Sequence, residues 1–322
     1  MSKINSKMEQ KVKHILVSGS LAYDRIMDFP GFFKDHILPD KIHILNVSFA
    51  VNGIKENFGG TAGNIAYNLA LLNEKSIILS CVGKDFASYE KWLARNKIGS
   101  SQIKRIKSRN TASANIITDQ ADNQITGFNP GALRASRGIF NKKLLKNSIA
   151  IIAPGNNNDM EQYAKLYKQK KVKYIFDPGQ EITSLKKSAL KNSINGAWIL
   201  IGNDYEISAI KRKIGWTDKA LLDKITMLVI TKGAKGSEIY YQGKKIQIPA
   251  AKPKNILDPT GAGDAYRAGL IKGLINSWQL GKAGCLAGLA AVYAVEKYGT
   301  QNHRFNWRTL RKRYQENFGE KL

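Results

Sequence analysis

Asp258-Pro259-Thr260-Gly261-Ala262-Gly263-Asp264-Ala265 leads directly into Tyr266-Arg267-Ala268-Gly269-Leu270, a segment of helical pattern. A glycine-rich turn entering a helix leaves backbone N–H groups free and adds the positive end of the helix dipole. The stretch therefore reads as an anion site, suited to phosphate or to a charge-bearing transition state. A carboxylate at such a helix start lies close to the anion and needs a reason to be there. Two readings stand on these residues alone: Asp264 takes a proton from a nucleophilic hydroxyl beside a transferring phosphoryl group, or Asp258 or Asp264 simply caps the helix.

Outward from this turn, short runs rich in Ile and Val alternate with longer stretches of helical period. Residues 14–18, 76–82, 149–153, 174–177, 198–202 and 227–231 read as strands. Residues 63–72, 86–96, 160–170, 206–210, 265–275 and 284–297 read as helices. Apolar strands separated by helices predict a mostly parallel sheet covered on both faces. Two stretches break the alternation: 43–58 has strand-like composition, and 112–128 reads as a hairpin whose arms, 115–118 and 124–128, flank a polar turn at 119–123. They fit either a small antiparallel sheet set apart as a lid or an extra edge hairpin on the main sheet. With no internal repeat and no low-complexity linker, one α/β domain over 1–322 is expected.

Composition narrows the class. The 322 residues are 43% hydrophobic and 24% charged, which excludes disordered, collagen-like and disulfide-scaffold chains. The net charge of +26, from 51 Lys+Arg against 25 Asp+Glu, invites a polyanion partner. However, the lysines of 142–146, 165–173, 186–191, 211–213 and 244–254 stand beside Leu, Ile or Tyr, as on solvated helix faces. Aromatics are not interleaved among them in a strip on which bases could stack. A dispersed basic surface with no specific nucleic-acid site is expected. Cys81 and Cys285 are too few for a disulfide framework and suit buried thiols in a reducing cytoplasm. Residues 1–13 are polar and basic without an apolar core, so no signal peptide is expected. The uncharged run 283–295 falls short of the roughly 18 residues a membrane span needs.

Familiar motifs mostly fail. No Gly-x-x-x-x-Gly-Lys-Ser/Thr occurs, and Tyr266 stands where a dinucleotide fingerprint wants its third glycine. His14, His36, His43 and His303 lack metal-ligand spacing, and no Gly-x-Ser-x-Gly elbow is present.

Four motifs, in order, carry a resemblance. Gly19-Ser20-Leu21-Ala22-Tyr23-Asp24 ends the first strand with an aspartate, and Gly59-Gly60-Thr61-Ala62-Gly63-Asn64 opens the first helix. Asn203-Asp204-Tyr205-Glu206 and Thr231-Lys232-Gly233-Ala234-Lys235-Gly236-Ser237 precede the late Gly-Ala-Gly-Asp. Over nearly its whole length the chain resembles the ribokinase-like (PfkB) carbohydrate and nucleoside kinases. That resemblance implies an α/β three-layer sandwich with a mostly parallel central sheet and a small antiparallel β lid, formed discontinuously by about 25–58 and 110–130. Pro259, the wording around Asn203, Phe29-Pro30-Gly31-Phe32-Phe33 and the stretch 123–132 are similar to the bacterial adenosine and broad-specificity nucleoside kinases. These imply transfer of the γ-phosphoryl group of ATP to the ribose 5′-hydroxyl of adenosine or another ribonucleoside.

Roles implied by the resemblance follow position by position. Asp264 would be the general base, with backbone N–H groups of Gly261, Ala262 and Gly263 facing the charge on the phosphoryl oxygens. Asp24 would accept the ribose 2′ and 3′ hydroxyls, with Ser20 beside it. Gly60 would allow close approach of the ribose, Asn64 would add a hydroxyl contact, and Phe128 would lie near the base. Asn203 and Glu206 would organise Mg²⁺ and its waters; Thr231, Gly233 and Gly236 would line ATP; Asp258 would help fix a monovalent cation such as K⁺. A homodimer through the lid is also implied. Each role has a plainer rival: Asp24 as a surface residue, Asn203 and Glu206 as a helix start, 231–237 as a hairpin connection, Phe128 as lid core. Ala114 and Asn115 stand where some adenosine kinases carry a purine-stacking aromatic, which leaves room for other bases. Two alternatives remain open: a ribose or fructose kinase of the same family, and a non-catalytic nucleic-acid-binding protein.

Overall fold

The computed structural model describes residues 12–121 and 123–322. Nearly all of the basic stretch 1–13, and position 122 of the polar turn, lie outside the described residues. In chain order the strands are β1 (His14–Ser18), β2 (Ala22–Asp28), β3 (Lys55–Gly59), β4 (Ser76–Leu79), β5 (Cys81–Val82), β6 (Lys104–Arg105), β7 (Ala112–Thr118), β8 (Gln124–Asn129), β9 (Ser148–Ile152), β10 (Lys173–Phe176), β11 (Ile199–Asn203), β12 (Met227–Thr231), β13 (Ser237–Tyr241) and β14 (Lys244–Ile248). The α-helices are α1 (Thr61–Leu71), α2 (Ala87–Arg95), α3 (Asn157–Gln169), α4 (Lys187–Ile194), α5 (Asp204–Ile214), α6 (Asp218–Leu222), α7 (Ala262–Ile275), α8 (Leu280–Val295) and α9 (Trp307–Phe318).

The main sheet runs β14-β13-β12-β11-β10-β9-β1-β4. Every pair from β4 to β12 is parallel, and β12-β13-β14 is an antiparallel meander. The parallel strands are Ile- and Val-rich because both faces are covered. Val17, Ile151 and Ile201 point into a core shared with α1, α7 and α8. Leu16, Ile152 and Leu200 point into a second core shared with α3, α4 and α5. The uncharged run at 283–295 is explained by helix packing. A Cβ on Gly269 would lie 2.6 Å from Ala287 Cα, and one on Gly273 would lie 2.4 Å from Ala283 Cβ. Small residues let α7 and α8 touch backbone to backbone, which fixes the helix that carries Asp264. Among the described residues no helix is long and apolar enough to cross a membrane, and both cysteines are buried and free.

A second sheet, β3-β2-β7-β8, stands apart from the first, so the 112–128 hairpin is not an edge of the main sheet. Pairs β2–β3 and β7–β8 are antiparallel, while β2 and β7 run parallel. Two expectations change here. Asp24 does not end the first strand: β1 stops at Ser18, the chain turns, and Asp24 sits inside β2. Of the strand-like stretch 43–58, only Lys55–Gly59 is a strand. Leu38, Ile42, Ile44 and Leu45 are exposed around a 3₁₀ turn, since β-rich composition yields a strand only where a partner strand is available.

Candidate active site

Gly261 caps α7 in the left-handed conformation (φ 80°), which glycine adopts without strain. No aspartate caps this helix, so the plainer reading of Asp264 fails. Instead, Asp258 clasps the turn from outside, its two carboxylate oxygens accepting the N–H groups of Thr260 and Gly299 at 2.9 Å each. The Ala262 N–H leans back to Pro259 O at 3.3 Å, and the next N–H groups head the helix without intrahelical partners. Asp264 follows in the first turn, partly exposed, accepting a hydrogen bond from Asn64 Nδ2 at 2.8 Å. Its pKa is pushed up to about 7, first by burial, with Asp177 and Asp24 adding to the rise. The Asn64 bond and the Arg267 charge pull the other way.

Asp24 meets this group from the small sheet. Burial, and then the charge of Asp258, raise its pKa to about 7 as well. The glycine pair makes room for it: a Cβ on Gly59 would lie 2.1 Å from Asp24 Oδ2. Gly60, at φ 86°, brings the β3–α1 turn so close that a Cβ would lie 2.6 Å from Ser20 O. Ser20 is buried, its hydroxyl accepting the Thr61 N–H at 3.0 Å, and it anchors the start of α1. Across the small sheet, Asn57, Asp24, Ala114 and Phe128 form one register row. Phe128 thus lies on the same face as Asp24, two strand spacings (roughly 10 Å) away, and is 49% exposed. The rival reading of Phe128 as lid core does not hold. Along this face runs a cavity of about 1110 Å³, lined by Ile26, Asp28 and Asn57 on one side and by Asp258, Thr260 and Tyr298 on the other.

On the far side of the anion turn lies an apolar cavity of about 320 Å³. Thr231, Gly233 and Gly236 line it together with Ile248, Tyr266 and Val292, and it reaches the turn through Pro259, Ala262 and Gly263. Gly236 has φ 81°, and a Cβ there would lie 2.1 Å from Ile248 O; the connection 232–236 also closes the β12–β13 hairpin. Asn203 and Glu206 form a reciprocal cap on α5: Asn203 Oδ1 accepts the Glu206 N–H, and Glu206 Oε2 accepts the Asn203 N–H, both at 2.7 Å. The helix-start reading of this pair is therefore real. Glu206 nevertheless keeps its second oxygen, and burial followed by the charge of Asp177 raises its pKa.

Two groups of residues escaped the sequence. Beneath the anion turn, Arg267 grips Asp177 with both arms, Nε to Oδ2 at 2.7 Å and Nη2 to Oδ1 at 3.0 Å, and its Nη1 donates to Gly263 O at 3.1 Å. The signal is an arginine one turn after Asp264 within the buried Ala265–Leu270 stretch of the helix, where a charge needs a partner. Behind Asn64, the buried Gln301 and Tyr89 and the half-buried Trp92 form a hydrogen-bonded group that no local pattern announces. Among the described residues no cluster of three or more His, Cys, Asp or Glu side chains could hold a metal.

The model of the pfkB carbohydrate kinase family matches residues 14–306. A nucleoside kinase of Methanocaldococcus jannaschii is 32% identical over 303 residues, spanning 93% of this chain and 96% of that one. The nucleoside kinase of Burkholderia thailandensis solved in complex with inosine superposes with a TM-score of 0.86 at 33% identity, over 95% of this chain and 99% of that one. The same kinase in complex with ADP-inosine gives 0.84 at 34% identity, over 95% and 97%. Asn64 touches Asp264, Asp24 lies near it, and the 231–236 loop shares a cavity with Ala262 and Gly263. The family match spans nearly all the described residues, and the chain belongs to the pfkB family of carbohydrate kinases.

Proposed function

We propose that this protein is a nucleoside kinase that moves the γ-phosphoryl group of ATP to the 5′-hydroxyl of a ribonucleoside, giving the nucleoside 5′-monophosphate and ADP. The observation that carries the proposal is the position of Asp264, at the head of the anion turn between the apolar cavity at Thr231 and the cleft face that holds Asp24. The similarity to a nucleoside kinase whose structures hold inosine and ADP-inosine supports a nucleoside over a free sugar.

In this mechanism the adenine enters the apolar cavity and the phosphates lie along the first turn of α7. Asp24 accepts the ribose hydroxyls, while Asn64 and Gly60 complete the ribose side. Asp264, ionised, takes the 5′-hydroxyl proton as the oxygen bonds to the γ-phosphorus and the β–γ bridging bond breaks, leaving ADP. The free N–H groups at Gly263 and its neighbours meet the charge spread over the phosphoryl oxygens. Mg²⁺ accompanying ATP would neutralise phosphate charge, and Asn203 with the free oxygen of Glu206 would hold it through its waters. Each Asp258 oxygen accepts one N–H and keeps a second lone pair, with which it would help fix a monovalent cation such as K⁺; no step depends on that cation. The small sheet with its flanking segments, about 25–58 and 110–130, acts as a lid on a single catalytic domain and excludes the water that competes for ATP. Ala114, between Asp24 and Phe128 in the register row, leaves width for more than one base.

ADP release across adenosine, inosine, guanosine, cytidine and ribose tests the proposal. Turnover with several ribonucleosides is expected; turnover with ribose alone would select a sugar kinase. Asp24→Asn is expected to raise the nucleoside KM by tenfold or more and to leave the ATP KM within about twofold. An unchanged nucleoside KM would remove Asp24 from the ribose site.

A further inference from the structure

We infer that Gln301 is a positioning residue for the phosphoryl transfer proposed above: it holds the Asn64 side chain in the one orientation that presents its NH₂ group to Asp264. The inference rests on that proposal for its kinetic meaning and on a directional chain of hydrogen bonds for its geometry. A carboxamide has an accepting end and a donating end of nearly equal size, so a buried one needs neighbours of fixed character to choose between its two orientations. Asn64 and Gln301 are 4% and 2% exposed, and water cannot make that choice.

Two fixed groups do. The Trp92 indole N–H can only donate, and it donates to Gln301 Oε1 at 2.9 Å. The Gly59 carbonyl can only accept, and it receives the Tyr89 hydroxyl proton at 2.8 Å, which leaves the Tyr89 oxygen as an acceptor for Gln301 Nε2 at 2.6 Å. Both anchors turn the Gln301 NH₂ the same way. That NH₂ also donates to Asn64 Oδ1 at 3.0 Å, so the opposite end of Asn64, its NH₂, faces Asp264 Oδ2 at 2.8 Å. In the flipped orientation Asn64 would set a carbonyl oxygen against the carboxylate and favour its protonated form, which cannot accept a proton. Asp264 is otherwise faced by Arg267 on α7, which favours its charge, and by Asp177 after β10 and Asp24 on β2, which oppose it. Asn64 is the neutral donor contributed by α1, and Gln301 decides which end of it is offered.

The test compares turnover from pH 5.5 to 9 for the wild-type chain, Gln301→Met, Asn64→Leu and the double variant, with melting curves for each. Gln301→Met is expected to move the acid limb of kcat upward by about one pH unit. Turnover then falls about tenfold at pH 6.5 and returns to within about threefold of wild type at pH 9, with the ATP KM unchanged. In the Asn64→Leu background the same substitution is expected to add no further shift. A loss of turnover uniform across pH, or a second full shift in the Asn64→Leu background, would overturn the inference. Should Gln301→Met fail to fold, the double variant Trp92→Phe/Tyr89→Phe removes both anchors while keeping aromatic rings against Phe58. Its acid limb must move in the same direction, and an unmoved limb counts against Gln301. A wild-type chain without nucleoside turnover at any pH would reject the kinase proposal instead. The inference would then be decided by carboxyl NMR titration of Asp264, which must titrate higher in Gln301→Met than in wild type.

Discussion

Asp264→Asn is expected to lower kcat by about 10²–10⁴-fold while raising the melting temperature at pH 8. The first effect follows from removing the base, since an amide cannot take the 5′-hydroxyl proton. The second follows from linkage. Burial holds the folded-state pKa of Asp264 at about 7, above its ordinary value of 3.8. Between those two pH values the folded chain keeps a proton that the unfolded chain releases, so stability falls as pH rises from about 4 to about 7 and stays low above it. Asn carries no charge to bury and escapes that cost. The gain is expected to be on the order of 1–3 kcal/mol at pH 8 and to vanish near pH 4. Asp24 adds a slope of the same sign in both proteins, so the difference between them isolates Asp264. Paired melting curves at pH 8 and pH 4.5 check this; a variant less stable than wild type at pH 8 would contradict the burial account.

The second large effect is expected at the Asp177–Arg267 pair, whose side chains are 3% and 8% exposed. Removing one partner of a buried ion pair strands the other charge and typically costs about 3–5 kcal/mol. Asp177→Asn and Arg267→Met should therefore be comparably destabilised in denaturant titrations. Their pH profiles should part. Asp177→Asn frees Arg267 to favour the Asp264 carboxylate, which moves the acid limb of kcat/KM down and weakens the base. Arg267→Met deletes that attraction and leaves Asp177 repelling Asp264, which moves the limb up. The double variant Asp177→Leu/Arg267→Met should recover stability relative to either single change, since no charge is stranded. Limbs moving in the same direction would show that the pair does not act through Asp264.

The parts of this site that were legible in the sequence are those written in consecutive residues. The anion turn, the Gly59-Gly60 opening of α1 and the strand Met227–Thr231 each depend on local glycine and β-branched chemistry. The motif points to Asp24 but not to its strand, because the break after Ser18 takes only a short turn and leaves an apolar pattern on both sides. The stretch 43–58 looked like a strand through composition alone, and pairing partners, which composition does not encode, allowed only Lys55–Gly59. Arg267 and Gln301 were not found because their partners lie 90 and 237 residues away. What they do depends on which segments the sheet order brings together, and no spacing rule reaches that far.

Charge now has a smaller part than the +26 first suggested. The residues that meet at the site are mostly acidic or neutral, and the basic excess offers attraction for ATP at long range. The most direct test of the central claim is mass-spectrometric identification of the product formed from ATP and inosine, run beside 5′-deoxyinosine. The account predicts inosine 5′-monophosphate and stoichiometric ADP from the first and no nucleoside phosphate from the second. Phosphorylation of 5′-deoxyinosine, or phosphate appearing only on added ribose, would contradict it.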